Sequence, residues 1–126
     1  MLPPGPGTLR SRSRVPPGSG LGSSGALDVA LVAALARVRG ETLSAEEIAR
    51  EGWHLEAVEA GNPGGRQDQY AAALGGFHQF EFLGDEVRIE RLQPDPGFAA
   101  ELESRLIVCY TGRSRVSGAT IAHESS

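Results

Sequence analysis

The chain has 126 residues and a formal net charge of −4, with 40% hydrophobic and 22% charged residues, as in ordinary globular proteins. This length predicts one domain or part of one, and the acidic balance excludes a general attraction to nucleic acid or to an anionic membrane. No apolar run approaches the roughly 20 residues that span a bilayer. The N-terminus shows no apolar signal region, and a single cysteine fits a reducing compartment, so we expect a cytoplasmic protein.

The basic residues are all arginines, because the chain contains no lysine. A Walker A phosphate loop, which requires a lysine, is therefore excluded. Any contact from a basic side chain to a phosphate must come from arginine, whose planar guanidinium binds two phosphate oxygens at once.

The first elements in chain order are a tail, a glycine-rich turn and two helices. Residues 1–14 are rich in Pro, Gly, Ser and Arg and predict a disordered or non-native tail, with a functional basic arm as the alternative. After the turn, residues 26–39 are small and apolar on most faces, which predicts a buried helix that ends at Gly40. The segment 44–47, Ser-Ala-Glu-Glu, is a capping-box pattern and predicts a second helix from there to about Ala60.

Shorter elements are predicted in the rest of the chain. They are a helix at 67–74, strands at 77–82 and 87–90, a helix at 98–104, a buried strand at 106–110 and the start of a helix at 116–124. The first two strands flank the turn Gly84-Asp85 and so predict a β-hairpin. The pattern is α+β, and we expect Trp53, Phe98 and Cys109 to be buried in its core.

The glycine-rich turn is the first candidate functional segment. Its glycines alternate at Gly18, Gly20 and Gly22, and it opens a helix, where free backbone N–H groups and the positive end of the helix dipole favour an anion. Ser23 and Ser24 place hydroxyl groups where they can reach phosphate oxygens or a magnesium ion. From the loop alone, a plain linker and an anion site stay equally open.

An acidic residue between two glutamines is the second candidate. The segment 64–70 reads Gly-Gly-Arg-Gln-Asp-Gln-Tyr, and its aspartate, Asp68, follows a glycine-rich corner at the start of a predicted helix. An aspartate that only caps the helix is the alternative.

Taken together, these two segments resemble the GHMP kinases. Residues 16–24 read Pro-Pro-Gly-Ser-Gly-Leu-Gly-Ser-Ser, residues 67–72 read Gln-Asp-Gln-Tyr-Ala-Ala, and residues 110–115 read Tyr-Thr-Gly-Arg-Ser-Arg. The resemblance covers residues 15–126 and is closest to the branch that phosphorylates D-glycero-D-manno-heptose 7-phosphate, with fucokinase-like enzymes next. It implies a partial GHMP kinase fold, made of the central part of the N-terminal domain and the start of the C-terminal domain. It also implies phosphoryl transfer from ATP to a sugar or sugar phosphate, expected at the anomeric hydroxyl of a heptose 7-phosphate.

The resemblance also implies roles for individual residues. Asp68 matches the acid that orients and deprotonates the substrate hydroxyl. Ser24 and Glu56 match the ligands of Mg²⁺. The residues expected to bind ATP are Pro17, Gly18, Ser19, Gly20, Leu21, Gly22, Ser23 and Ser24. The residues expected to bind the substrate are Arg66, Gln67, Gln69, Arg113 and Arg115.

Two alternatives to an active kinase stay open. Relatives of this type carry a strand-rich segment before the phosphate loop and a third glycine-rich motif after the hairpin, and we expect neither within residues 1–126. A truncated, non-catalytic remnant with exposed apolar surface along the first helix is therefore one alternative. A module that binds nucleotide without turnover is the other. The expected partners are ATP, Mg²⁺ and a small sugar or sugar phosphate, without nucleic acid or membrane, and the oligomeric state is not predicted.

Overall fold

The computed structural model describes residues 7–61 and 64–112. Their elements are α1 (Ser23–Arg39), α2 (Ala45–His54), a π-helical segment (Leu55–Glu59), α3 (Gln67–Leu74), β1 (His78–Leu83), β2 (Glu86–Arg91) and α4 (Phe98–Arg105). They belong to two compact units, a helical unit up to Leu74 and a hairpin unit from Gly75 to Gly112. The predicted α+β class is confirmed.

Helix α1 ends and helix α2 begins where the sequence predicts. Gly40 follows α1 in the left-handed conformation, with φ 73° and ψ 17°, and its N–H caps the last turn. At the start of α2, the Ser44 hydroxyl accepts from the Glu47 N–H at 3.2 Å, and the Glu47 carboxylate accepts from the Ser44 N–H at 2.7 Å. Both bonds of the predicted capping box are therefore present.

The second helix reaches its predicted end by a change of helix type. Its α-helical part ends at His54, and the π-helical segment continues to Glu59. There the Ala60 N–H donates to the Leu55 carbonyl at 3.0 Å, a spacing of five residues. Such an insertion re-aims the side chains that follow it and often lies at a functional site.

The core of the helical unit is made where α1, α2 and α3 contact one another. Its buried residues are mostly small: Gly25, Ala36, Ala49, Gly52, Gln69 and Tyr70. A Cβ added at Gly52 would lie 3.4 Å from the Val29 nitrogen, so α1 and α2 approach each other closely at this point. The small residues thus allow short distances between the helices.

The prediction that α1 is buried is wrong for much of its surface. Ala36 is 5% exposed, but Leu27 is 43% and Val38 65% exposed. The reason is that α1 packs against α2, α3 and the π-helical segment, which cover only part of its circumference. A stretch that is apolar on most faces needs neighbours on most faces to be buried.

The hairpin unit contains the predicted hairpin and helix. β1 and β2 are antiparallel, with Phe80 opposite Ile89 and Phe82 opposite Val87. α4 contributes Phe98, whose ring meets the Phe77 ring edge to face at a centroid distance of 5.5 Å. Both predicted elements are confirmed.

Four predictions about the core are corrected by the structure. The segment 106–110 is not a strand, and Ile107 is 86% and Val108 76% exposed, because the sheet of the described residues consists of β1 and β2 alone. Cys109 is exposed with this segment, and Phe98 is 44% exposed, because residues 75–112 contain no buried core that could cover it. Trp53 is half-buried. The predicted helix at 116–124 lies outside the described residues.

Within the described residues, every helix is too short or too polar to cross a membrane.

Candidate nucleotide and acid site

The glycine-rich loop owes its shape to its alternating glycines. Gly18, Gly20 and Gly22 all have left-handed backbones, with φ of 68°, 75° and 66°. Side chains strain this conformation, which explains why glycine recurs at alternate positions. Alternation of left-handed residues with others also turns successive N–H groups toward one side and makes a concave anion-binding surface.

Helix α1 begins at Ser23, so both loop serines belong to its first turn. Gly22 is the N-cap, no side chain caps the helix, and its first turn contains no acidic residue. The N–H groups of this turn have no partner within the helix, and they carry the positive end of its dipole. The start of α1 therefore has both the donors and the charge to bind a phosphate.

Ser19 has a buried hydroxyl in the same loop. Its oxygen has no hydrogen-bond partner among residues 7–61 and 64–112. A buried polar group without a partner costs about 1–3 kcal/mol. A phosphate oxygen bound in the loop would give this hydroxyl the missing partner.

The structure brings Asp68 directly against the start of α1. A Cβ added at Gly22 would lie 3.1 Å from the Asp68 Cγ, and one added at Gly25 would lie 2.8 Å from the Asp68 Cβ. Asp68 itself is exposed, so its carboxylate is open to a bound molecule. The glycine-rich loop and Asp68, far apart in the chain, therefore lie side by side, whereas the roles assigned to their residues stay predictions.

Trp53 of α2 holds the corner that precedes Asp68. Its indole N–H donates to the Gly64 carbonyl at 3.3 Å, and the Arg66 guanidinium lies 4.9 Å from its ring centroid, in a cation–π contact. These contacts fix the chain just before α3. Of the predicted substrate-binding residues, Arg66 therefore stacks on Trp53, and Gln67 is exposed beside it.

Gln69 faces the π-helical segment. It is 1% exposed, and its Nε2 donates to the Glu56 Oε2 at 2.6 Å. Its own Oε1 is buried without a hydrogen-bond partner in the described part of the chain. Glu56, the predicted magnesium ligand, is half-buried and anchored by this amide.

Asp28 is a site residue that the sequence analysis missed. Burial, and then the nearby Glu56 carboxylate, raise the pKa of Asp28 from 3.8 to about 6. Its Oδ2 is buried and has no hydrogen-bond partner among the described residues. A signal was present in the sequence: Asp28 is the only acid in α1, and it follows Ser24 by four residues, which places both on one face of the helix.

The oxygen groups at this end of α1 suit a magnesium ion. The Ser24 hydroxyl and the carboxylates of Asp28 and Glu56 are hard donors of the kind that Mg²⁺ prefers. Within the described ranges, no three or more His, Cys, Asp or Glu residues gather in a group that could hold a metal. A cation here would therefore share one or two carboxylates with water and phosphate oxygens, which is how Mg²⁺ is commonly bound.

A cleft of about 760 Å³ opens beside the glycine-rich loop. It is lined by residues 9–15, by the loop residues Pro17 and Gly18, and by apolar residues of α1, including Leu27 and Leu31. Its volume and partly apolar lining are those of a small-molecule site. The remaining predicted site residues, Arg113 and Arg115, lie outside the described residues.

Comparison with known proteins gives one family match. Residues 3–76 match the model of the GHMP kinases N terminal domain. This match starts within the segment 1–14, so the predicted boundary between a tail and the domain stays a prediction.

Individual relatives include three kinds of kinase. The chain is 38% identical over 109 residues to D-glycero-alpha-D-manno-heptose 7-phosphate kinase of Campylobacter jejuni, with 86% of this chain and 32% of the relative covered. It is 42% identical over 107 residues to mevalonate kinase of Thermococcus onnurineus, with 85% and 28% covered. It is 34% identical over 112 residues to the bifunctional fucokinase/GDP-fucose pyrophosphorylase of Arabidopsis thaliana, with 86% and 10% covered.

The fold also matches a solved structure. The crystal structure of a candidate sugar kinase from Campylobacter jejuni aligns with a TM-score of 0.67 and 36% identity, covering 88% of this chain and 35% of that one. The chain thus spans about a third or less of the length of the relatives it matches.

Proposed function

Because the chain belongs to the GHMP kinase family, we propose that it carries the nucleotide-binding and catalytic part of an ATP-dependent sugar kinase. The proposed reaction transfers the γ-phosphoryl group of ATP to the anomeric hydroxyl of a heptose 7-phosphate, with Mg²⁺ as the cation. One observation carries the proposal: the Asp68 carboxylate lies against Gly22, and its Cβ lies against Gly25, where α1 presents its free N–H groups. A phosphate bound by those groups would lie next to a carboxylate able to accept a proton.

The chemistry of phosphoryl transfer explains what such a site would contribute. The transition state is loose, so the protein contributes mainly position and charge compensation. In the proposed site, the N–H groups from Gly18 to Ser24 bind the nucleotide phosphates, and the cleft beside the loop takes the nucleoside. A magnesium ion, when bound, would neutralise charge on the phosphate oxygens.

Asp68 would act on the acceptor. Its carboxylate would accept a hydrogen bond from the acceptor hydroxyl, orient that oxygen toward the phosphorus and take its proton as the new bond forms. Ser24 and Glu56 would hold the cation.

The proposed acceptor class rests on sequence similarity and on arginine chemistry. The similarity to the heptose 7-phosphate kinase extends over 109 residues of the chain. Arg66 lies two residues before Asp68, and a guanidinium is well suited to bind the phosphate group of a phosphorylated sugar.

Thermal unfolding with and without Mg-ATP tests the nucleotide site. A hundredfold excess over the dissociation constant should stabilise the folded chain by about 2.7 kcal/mol, and ATP with EDTA in place of Mg²⁺ should stabilise it less. The absence of any shift would contradict the nucleotide site and favour a non-catalytic remnant.

Transfer assays then test the acceptor. Heptose 7-phosphate should be phosphorylated faster than mevalonate, measured by release of ADP. Stabilisation by Mg-ATP without transfer to either acceptor would instead favour a nucleotide-binding module without turnover.

A further inference from the structure

We infer that Gln69 is a positioning residue, which fixes the Glu56 carboxylate at the cation site and does not contact the substrate. The inference rests on the proposed function. Its first support is burial: Gln69 is 1% exposed, whereas Gln67 and Asp68 beside it are exposed. A side chain that binds substrate directly must reach the surface of the site, and that of Gln69 does not.

The second support is the bond that Gln69 makes. Its Nε2 donates to the Glu56 Oε2 at 2.6 Å, a short bond of the charge-assisted kind. Consecutive residues of a helix project in different directions, so α3 turns Asp68 toward Gly25 and turns Gln69 toward Glu56. One short helix thus places the proposed base and anchors the proposed cation ligand.

The third support is that Glu56 needs an anchor. It lies in the π-helical segment, where the regular helical spacing is interrupted. A donor from the buried Gln69 holds the carboxylate of this half-buried side chain in one position.

Packing alone does not account for a glutamine at this position. The Gln69 Oε1 is buried without a partner in the described part of the chain, which costs stability. A methionine of similar size would fill the same space without that cost. A purely structural role and a positioning role therefore predict different results for Gln69→Met.

The test measures metal binding directly. The chain is loaded with Mn²⁺ and the β,γ-imido analogue of ATP, and bound Mn²⁺ is quantified by electron paramagnetic resonance. Gln69→Met should weaken Mn²⁺ binding about 10- to 100-fold, the usual effect of losing a residue that orients a metal ligand. Its unfolding temperature in metal-free buffer should change little, because the substitution removes the unpartnered Oε1 together with the bond to Glu56. The matched control, Gln79→Met on exposed β1, should leave Mn²⁺ binding unchanged.

A double-mutant cycle tests whether Gln69 acts through Glu56. In a Glu56→Ala background, Gln69→Met should change Mn²⁺ binding less than twofold, because the side chain it positions is gone. Equal effects in both backgrounds would overturn the inference. So would unchanged Mn²⁺ binding combined with a raised KM for the sugar phosphate, which is the signature of a substrate contact.

Two further outcomes are distinguishable. If the unsubstituted chain binds no Mn²⁺ with the nucleotide analogue, the proposed function fails and this inference fails with it. If it binds normally and Gln69→Met binds equally well, only the inference fails. Should Gln69→Met not fold, Gln69→Asn keeps the amide but shortens its reach, and the same loss of Mn²⁺ binding is expected. Failure of both variants to fold would assign Gln69 to the core and overturn the positioning role.

Discussion

The helical unit and the hairpin unit differ in what holds each together. All the buried residues of the described chain lie in the helical unit, and residues 75–112 include none. The helical unit depends on contacts among α1, α2 and α3, which are distant in sequence, whereas the hairpin unit depends mainly on pairing between neighbouring strands. Every described site residue belongs to the helical unit.

This difference has a physical consequence for function. A site built on packed elements keeps its geometry, because moving one side chain requires moving its neighbours. Asp68 is held in this way, with α3 in contact with both α1 and α2. Elements with few buried contacts open more easily, so the hairpin amides should exchange hydrogen faster than those of α1.

The largest expected effect is on the transfer rate, and it should arise from an aspartate of the helical unit but not from one of the hairpin unit. Asp68→Asn removes the proposed base and should lower the transfer rate about 10²- to 10⁴-fold while leaving Mg-ATP binding within about threefold. The measurement is steady-state ADP release, with binding followed by thermal shift. Asp85→Asn, in the turn of the hairpin unit, is the matched control and should leave both values unchanged. An Asp68→Asn variant with normal turnover would remove the catalytic assignment.

The next effect tests how tightly the helices are packed. Gly25→Ala places a Cβ 2.8 Å from the Asp68 Cβ, so α1 and α3 must separate. The destabilisation from overpacking should exceed the stabilisation from alanine's better helix propensity, so the free energy of unfolding should fall by about 1–2 kcal/mol. Urea unfolding followed by fluorescence of Trp53, the single tryptophan, measures this in the helical unit.

Gly84→Ala is the comparison in the hairpin unit. A Cβ there meets nothing within 4 Å, so the alanine would be strained only by the left-handed backbone, with φ 60°. It should therefore leave the affinity for Mg-ATP unchanged, while Gly25→Ala lowers it. Equal affinities in the two variants would show that the contact between α1 and α3 does not shape the site.

A smaller effect depends on pH. The pKa of Asp28 is raised to about 6, so between pH 4 and pH 6 the folded chain binds more protons than the unfolded chain. Stability should consequently fall as the pH rises through this window. Asp28→Asn should remove that fall and be more stable above pH 7 by roughly 1 kcal/mol, a value reduced for the partial exposure of the group.

Unfolding in urea with EDTA, at pH 4 through pH 8, measures this effect. The two chains should have equal stability near pH 4, where Asp28 is protonated and resembles asparagine. A stability difference that stays constant across the whole range would contradict the role of Asp28 ionisation.

Local sequence signals predicted most of the fold because they act over a few residues. Gly40 ends α1, Ser44 caps α2, and Gly84-Asp85 turns the hairpin, each through its own backbone preference. The failures involve neighbours. Residues 106–110 are apolar enough for a buried strand, but burial requires a partner strand that no pattern within the segment specifies.

The candidate site divides along the same line. The glycine-rich loop and Asp68 are predictable from the sequence, because each belongs to a motif of consecutive residues. The proximity of Asp28 to Glu56 and the bond between Gln69 and Glu56 depend on three helical segments that meet at one point, so the sequence of a single segment does not predict them. The change to a π-helix was also missed, since Leu55–Glu59 reads as an ordinary continuation of α2.

The smallest expected effect lies in the hairpin unit. Arg88 pairs with Glu81 across the strands at 3.8 Å and with Glu86 along its own strand at 3.0 Å, and all three side chains are exposed. Because exposed ion pairs contribute little, Arg88→Ala should lower the free energy of opening of the hairpin by only about 0.3–0.5 kcal/mol, and by less at high salt. Hydrogen exchange of the β1 amides measures it, with Arg91→Ala as the control. An effect above about 1 kcal/mol, or one that also reaches the amides of α1, would show that the hairpin contributes to the helical unit, and the contrast between the two units would then lose its basis.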